Sequence, residues 1–314
     1  HVVPTPATAD WQLDQCVELK PELQVAMSVV DDRQREACAD WFRRHAKAAF
    51  GVDWKITSWT HPSGLKDEKY VLHVSASNIT VGAAGLSGVR YAFQTLRQIA
   101  MPKRGTLKVE GWIAPGCKVV DEPKSKFRGI HLCWFPETKV STLERCIRLA
   151  GYYKMNAVVL ETWGTFRSEK YPWWGWKDGA MTKAEIRRLK AVADDLGITL
   201  VPQFNVFGHA SMSRSQSGKH AVLDLNREYQ PLFEPHHGWN WCLSNPEAQK
   251  VVDGLVVEMH EAFGNPPYFH IGCDEAHPPS CPTCRAQDYV GLIASNITRV
   301  ATLLEKRGAR AMMW

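Results

Sequence analysis

Two carboxylates, Asp274 and Glu275, stand side by side in the stretch "YFHIGCDEAH" (Tyr268–His277), directly after an apolar run. An acidic pair that ends a strand is either a solvated turn or a place where a proton is moved. The same region, "CDEAHPPSCPTC", holds Cys273, His277, Cys281 and Cys284. A C-P-x-C has zinc-knuckle spacing, and the nearby His and Cys could complete four ligands; a disulfide or free thiols are the other readings. His209, Asp274 and His277 could instead serve a metal-dependent hydrolase, but their spacing matches no specific metal motif.

The elements that carry these residues alternate strand and helix. Strand-like runs are "FRGIHLCW", "NAVVLETW", "TLVPQFNVF", "YFHIGCDE" and "ARAMMW". Between them lie helix-like runs, "STLERCIRLAGYYK", "TKAEIRRLKAVADDLG", "NPEAQKVVDGLVVEMHEAFG" and "AQDYVGLIASNITRVATLLEKRG". Strict alternation with nearly continuous apolar strands implies a parallel sheet covered by helices. Ligands of such folds bind at the carboxyl ends of the strands. The five strands offer Arg128, His131 and Cys133; Glu161, Thr162 and Trp163; Asn205, Gly208 and His209; Asp274, Glu275 and His277; and Trp314. Five strands suffice for a doubly wound sheet, whereas a (β/α)8 barrel would need three more units, so a barrel implies one piece of a longer protein.

Residues 1–122 read as a small α+β domain, with strands in "ELQVAMSVV", "WKITSWT" and "YVLHVSASNITVGA" and helices in "DDRQREACADWFRRHAKAAFG" and "GLSGVRYAFQTLRQIA". A hairpin-like "TLKVEGWIAPG" closes it. The polar run around Asp121–Lys126 is the expected linker to residues 123–314.

Composition narrows the partners. The net charge of +5 over 314 residues is mild and spread along the chain, which argues against nucleic acid and against a membrane surface. No apolar run approaches the length of a membrane span. Nine cysteines cannot all pair, so free buried thiols are the default and the redox compartment is left open. The opening "HVVPTPATAD" has no Met, which suggests a processed chain and a secreted, periplasmic or cell-surface location. "NIT" sequons occur at Asn78 and Asn296. The loop "YPWWGWKDG" (Tyr171–Gly179) carries four aromatics that would form either a sugar platform or a packed lid.

These motifs in this order resemble glycoside hydrolase family 20, the β-N-acetylhexosaminidases. "FHIGCDEA" is similar to that family's fourth-strand H-x-G-x-D-E signature, "KFRGIHL" to its first barrel strand, and "VFGHAS" to its third-strand G-H element. "GLSGVRYAFQTLRQI" resembles the helix of the small domain before the barrel. "VVLETWGTF", "LVPQFNVFGH", "LSNPEA" and "GCDEAHPPSCPTC" look closest to the hexosaminidase D-like branch. The chain departs from the family pattern at Cys133, where an Asp is common, in "VVLETW", which replaces an H-x-H, and at Cys273 in place of Gly.

The resemblance implies a (β/α)8 TIM-type barrel, of which about the first five units are present, preceded by the α+β domain. It implies an exo-β-N-acetylhexosaminidase that removes terminal β-linked GlcNAc or GalNAc from glycans. In this family the substrate's own 2-acetamido group attacks the anomeric carbon. Glu275 would be the general acid and Asp274 the carboxylate that orients the acetamido N–H. Arg128 would bind hydroxyls of the terminal sugar, His209 would stand beside the pocket, Trp314 would supply a wall, and Glu161 would bond a hydroxyl or pair with Arg128 or His209. No cofactor or catalytic metal is required. A non-catalytic carbohydrate-binding relative is the competing reading, favoured by the departures at Cys133 and on the second strand.

Overall fold

The structure is a computed structural model. It describes residues 2–58, 65–66, 68–106, 108–162, 164–176, 178–210, 223, 226–235, 238–275 and 277–314. Trp163, one of the expected strand-end residues, lies outside the described residues. The chain divides into two compact units, His1–Arg128 with Gly151–Lys154, and Gly129–Ala150 with Met155–Trp314.

The first unit is a seven-stranded mixed sheet in the order β1-β7-β4-β5-β2-β3, with β6 paired to β7. Its elements are β1 (Thr8–Glu18), β2 (Gln24–Val29), α1 (Arg35–Phe50), β3 (Ile56–Ser58), β4 (Tyr70–Val74), β5 (Asn78–Ala83), α2 (Leu86–Ile99), β6 (Met101–Arg104) and β7 (Val109–Asp121). α1 ends where Gly51 takes a left-handed conformation (φ 75°), which costs glycine little. α2 buries Val89, Phe93, Leu96 and Ile99, the stripe its spacing predicts, against a core shared with Trp41, Phe42, Leu72 and Val81. β1 is not anticipated by sequence pattern. It is an edge strand in which only Val17 is buried, so the alternation that marks a strand is absent.

A polar cluster is sealed beneath this sheet. Tyr70 donates to Asp121 Oδ2 at 3.0 Å and lies 2.6 Å from Thr95 Oγ1, and Lys154 Nζ donates to the Tyr70 hydroxyl at 2.9 Å and to Asp121 Oδ2 at 3.4 Å. Burial lowers the affinity of the Lys154 ammonium for its proton, and the Asp121 carboxylate opposes that shift.

The second unit places β8 (Gly129–Trp134), β9 (Ala157–Thr162), β10 (Thr199–Gln203), β11 (Tyr268–His270) and β12 (Arg310–Met312) side by side in chain order, every pair parallel. A doubly wound sheet reverses its order part-way; a barrel wall does not. The unbroken order therefore favours the barrel over the doubly wound alternative. The helices are α3 (Val140–Tyr152), α4 (Lys183–Leu196), α5 (Pro246–Ala262), the short α6 (Pro282–Arg285) and α7 (Tyr289–Glu305). Thr182 and Glu185 close a capping box at the start of α4, and Asn245 with Pro246 starts α5. β9 is buried at all six positions, as a strand covered on both faces must be. Among the described residues no helix is long and apolar enough to cross a membrane.

The two sequons differ from exposed acceptor sites. Asn78 lies half-buried on β5 with its Oδ1 bonded to Ser75. Asn296 is buried in α7, where its Nδ2 donates to the Val206 carbonyl at 3.1 Å and its Oδ1 accepts from Arg299 at 2.7 Å.

Replacing Lys154 by Met should lower the unfolding free energy of the first unit by about 3 kcal/mol, because Asp121 would stay buried without its cation. Urea unfolding measures it; a loss under about 1 kcal/mol would show that the ammonium is not needed there.

Candidate active site

The acidic pair follows β11 on a backbone that has left strand geometry. Gly272 (φ 70°), Cys273 (φ 75°) and Glu275 (φ 47°) all take positive φ, and so does His209 (φ 53°) in the loop after β10. Three of the five non-glycine residues with positive φ among the described residues fall at this one place, so backbone strain is concentrated there. Gly272 is required twice over: a side chain would be strained at that φ, and its Cβ would overlap the Asn205 side-chain oxygen. At Gly208 a Cβ would come within 2.5 Å of the Asp274 carbonyl oxygen. The loops after β10 and β11 thus touch backbone to backbone.

His209 joins the two carboxylates. Its Nε2 lies 3.2 Å from Asp274 Oδ2 and 3.5 Å from Glu275 Oε2, with the imidazole buried. Trp239 covers it: the ring centroids are 4.3 Å apart, and the indole N–H donates to the Glu275 carbonyl at 2.7 Å. His277 stacks on the Trp239 ring at 4.9 Å, and Asn240 Nδ2 donates to the His277 carbonyl at 2.8 Å. The two carboxylates differ in surroundings. The Glu275 side chain is 63% exposed and open to a ligand. Asp274 Oδ1 is buried and has no hydrogen-bond partner among the described residues, so it is an acceptor waiting for a donor.

Glu161 does not reach for a ligand. It is buried at the end of β9, where its Oε1 accepts from Asn205 Nδ2 at 2.8 Å while its Oε2 lies 3.2 Å from His131 Nε2 and accepts from Cys133 Sγ at 3.4 Å. Both oxygens are engaged, so the expected bond to a hydroxyl, to Arg128 or to His209 is replaced by a scaffold under the pocket. Gln203 extends it, with Oε1 3.0 Å from His131 Nε2. Trp314 packs its ring against His131 (5.2 Å) and His270 (4.6 Å), and its backbone N–H donates to the Gly272 carbonyl at 3.1 Å. It remains 57% exposed.

Arg128 precedes β8 and belongs to the first unit. Its guanidinium forks onto Glu68 at 3.0 and 3.1 Å and donates to the Tyr91 hydroxyl at 2.6 Å, all within the first unit. Arg128, expected to bind sugar hydroxyls, is here a cation paired with Glu68.

Sequence pattern missed Trp239 and Asn240. The only signal was "GWNW" in a polar connection, where nothing indicates which distant loop the indole will meet. In Tyr171–Gly179, Trp174 is buried and stacks on Trp241 at 5.4 Å, while Trp173 stacks on Tyr229 at 3.9 Å. These two rings pack down as a lid rather than standing free as a platform.

The sulfur residues also regroup. The Cys273 thiol turns to the Ile271 carbonyl, 3.6 Å away, and His277 is spent on Trp239, so neither joins Cys281 and Cys284. Among the described residues, two sets of potential metal ligands have all their ligand atoms within 4.8 Å of one another: Glu234, Cys242, Cys281 and Cys284, and separately His131, Cys133 and Glu161. His209, Asp274 and His277 are not such a set, and the metal-hydrolase reading finds no support in their geometry.

With this geometry in place, two family models match the chain. "Glycosyl hydrolase family 20, domain 2" matches residues 1–122, and "Glycosyl hydrolase family 20, catalytic domain" matches residues 142–314. The chain is 24% identical to a lacto-N-biosidase of Bifidobacterium bifidum over 83% of its own length and 21% of that protein. It is 27% identical to a beta-hexosaminidase subunit beta of Entamoeba histolytica over 67% of its length and 38% of that protein. Among solved structures, an exo β-N-acetylglucosaminidase from Vibrio harveyi superposes on the whole chain with a TM-score of 0.78 at 22% identity, over 54% of that structure. A β-N-acetylhexosaminidase from Bacteroides fragilis does so with a TM-score of 0.75 at 25% identity, over 65%. The chain therefore spans less than two thirds of the length of these relatives.

The turn into the acidic pair depends on a neutral imidazole. Gly272 N–H donates to His270 Nδ1 at 3.2 Å, so that nitrogen must carry no proton. Burial, aided by His131, lowers His270 to about 4 from the ordinary 6.5. The unfolded chain takes up this proton before the folded one does. Stability is then fully present above about pH 6.5 and should fall by about 3 kcal/mol as pH drops toward 4. Urea midpoints measured across this window in the parent and in His270→Asn test it: the variant should lose most of the slope, and equal slopes would refute the assignment.

Proposed function

The chain belongs to glycosyl hydrolase family 20, and on that footing we propose that it carries the acid and the substrate-orienting carboxylate of an exo-β-N-acetylhexosaminidase acting on terminal β-linked GlcNAc or GalNAc. The observation that carries this reading is that Asp274 and Glu275 both lie within 3.5 Å of His209 Nε2, with no donor to Asp274 Oδ1 among the described residues.

Cleavage assisted by the substrate needs two adjacent services on one sugar. Glu275, exposed at the mouth, gives its proton to the glycosidic oxygen as the bond to the leaving group breaks. Asp274 accepts the acetamido N–H through Oδ1, which aims the acetamido oxygen at the anomeric carbon and balances the positive charge of the oxazolinium ring. Water then opens that ring while the Glu275 carboxylate takes the water proton, so the anomeric configuration is retained after two inversions. His209, hydrogen-bonded to Asp274 and 3.5 Å from Glu275, spans the two acids. Trp314 offers a flat apolar face beside the pair for a pyranose ring. Glu161 and Arg128 serve the scaffold in this scheme rather than the sugar.

The intact protein should release the aryl group from aryl N-acetyl-β-hexosaminides and not from aryl β-glucosides. Glu275→Gln and Asp274→Asn should each cut kcat by about 10²–10⁴ with the fold unchanged by circular dichroism. A thiazoline that mimics the cyclised acetamido group should inhibit the parent. Undiminished turnover by Glu275→Gln would refute the scheme. Sugar binding with no product in a long incubation would point to the non-catalytic relative instead.

A further inference from the structure

The loop that bears Asp274 and Glu275 continues into a pocket of sulfur. Cys242 Sγ and Cys284 Sγ are 3.8 Å apart, and with Cys281 Sγ and a Glu234 carboxylate oxygen they form a set whose members all lie within 4.8 Å of one another. Four sulfurs at the usual zinc–sulfur bond length of about 2.3 Å sit at the corners of a tetrahedron with edges of about 3.8 Å. The Cys242–Cys284 separation has that value. It is well beyond the covalent S–S length of about 2.05 Å.

Each ligand is already held in place. Glu234 and Cys242 each follow a residue of the Phe233–Trp241 bridge, and the Glu234 and Cys242 backbone N–H groups donate to Asn240 and Leu232 carbonyls at 2.9 and 3.0 Å. Glu234 is buried, at 4% exposure. Its Oε2 accepts the backbone N–H groups of Ser280 at 2.8 Å and Cys281 at 2.6 Å, while its Oε1 has no hydrogen-bond partner among the described residues. In the turn Cys281–Cys284, the backbone N–H groups of Thr283 and Cys284 donate to Cys281 Sγ. Ser244 Oγ lies 3.0 Å from Cys284 Sγ and 3.5 Å from Cys242 Sγ, placed to donate to thiolates. A buried carboxylate oxygen with no hydrogen-bond partner among the described residues and three converging sulfurs, two of them buried, make a ligand set that a cation would complete. Soft sulfur ligands in a tetrahedral set favour zinc over calcium or magnesium.

We propose that Glu234, Cys242, Cys281 and Cys284 bind a structural zinc ion that clips the loop after β11 to the connection between β10 and α5. Each thiol releases its proton to solvent as its sulfur binds. The metal touches no reacting group. Its effect passes through Trp239 and Asn240, which lie between Glu234 and Cys242 in the chain and hold the Glu275 and His277 carbonyls. The proposal is independent of the substrate assigned above.

The test is metal analysis of the intact protein, purified under reducing conditions, after incubation with zinc and exhaustive dialysis. About one zinc per chain should remain in the parent, and Cys242→Ser, Cys281→Ser and Glu234→Gln should each retain several-fold less. Cobalt(II) in place of zinc should give intense visible bands of a tetrahedral site with thiolate-to-cobalt charge transfer in the near ultraviolet. That readout uses the parent chain, so it stands even where a cysteine variant fails to fold. Removing zinc with a chelator should lower the melting temperature by several degrees, and added zinc should restore it. Failure of the parent to retain zinc, octahedral cobalt bands without charge transfer, or full retention by the Cys242→Ser, Cys281→Ser double variant would overturn the proposal. A Cys242–Cys284 disulfide persisting in the parent, with no metal bound after reduction, would overturn it as well.

Discussion

Two neighbouring side chains on a regular strand point to opposite faces, so adjacent carboxylates cannot serve one pocket without breaking strand geometry. The surroundings of Asp274 and Glu275 follow from that constraint. The strand stops at His270, and Gly272, Cys273 and Glu275 turn the chain through positive φ. His209 then meets both acids from the opposing loop, bonding Asp274 and lying 3.5 Å from Glu275, itself at positive φ and able to approach because Gly208 has no side chain. Such a turn is costly and persists only where its surroundings over-determine it. Here the determinants are the Gly272–His270 bond, the Trp239 indole on the Glu275 carbonyl, and the close backbone of the neighbouring loop.

Beneath the turn, the parallel sheet acts as a register. Gln203 pairs with His270 on β10 and β11, Glu161 with Gln203 on β9 and β10, and Cys133 with Glu161 on β8 and β9. Cys133, Glu161, Gln203 and His270 therefore lie in one row across the sheet, and His131 and Asn205 bond into it. This row satisfies its own hydrogen bonds, which leaves the unsatisfied acceptor to Asp274, one layer above. A saturated layer under an unsaturated one separates support from chemistry.

The alternation of apolar strands and amphipathic helices was legible because a parallel strand buried on both faces must be apolar throughout, as β9 is. The acidic pair was legible because two carboxylates at a strand end have few structural uses. β1 was not, since an exposed edge strand carries no apolar alternation. The pairing of Arg128 was not legible, because its partner Glu68 lies far off in sequence. The partners of Glu161 were hidden in a similar way, His131 and Cys133 lying on β8 and Asn205 just past the end of β10. The sulfur set was half visible in Cys281 and Cys284, whose spacing is local. Glu234 and Cys242 come from a different loop, and Cys273 and His277, nearer in sequence, are turned elsewhere. Local spacing is readable from a chain; the closure of one long loop on another is not.

Asn296 shows how the same three letters can mean different things before and after folding. Its amide nitrogen is committed to the Val206 carbonyl inside the second unit, while Thr298, the third letter of its sequon, stays exposed on α7. The folded protein gives an oligosaccharyltransferase no access to that nitrogen. A sugar added to the nascent chain would take its place and keep α7 from seating. In a secretory host with N-glycosylation, production would become a race between the transferase and helix docking, and a chain with Ala at 298 would not have to run it.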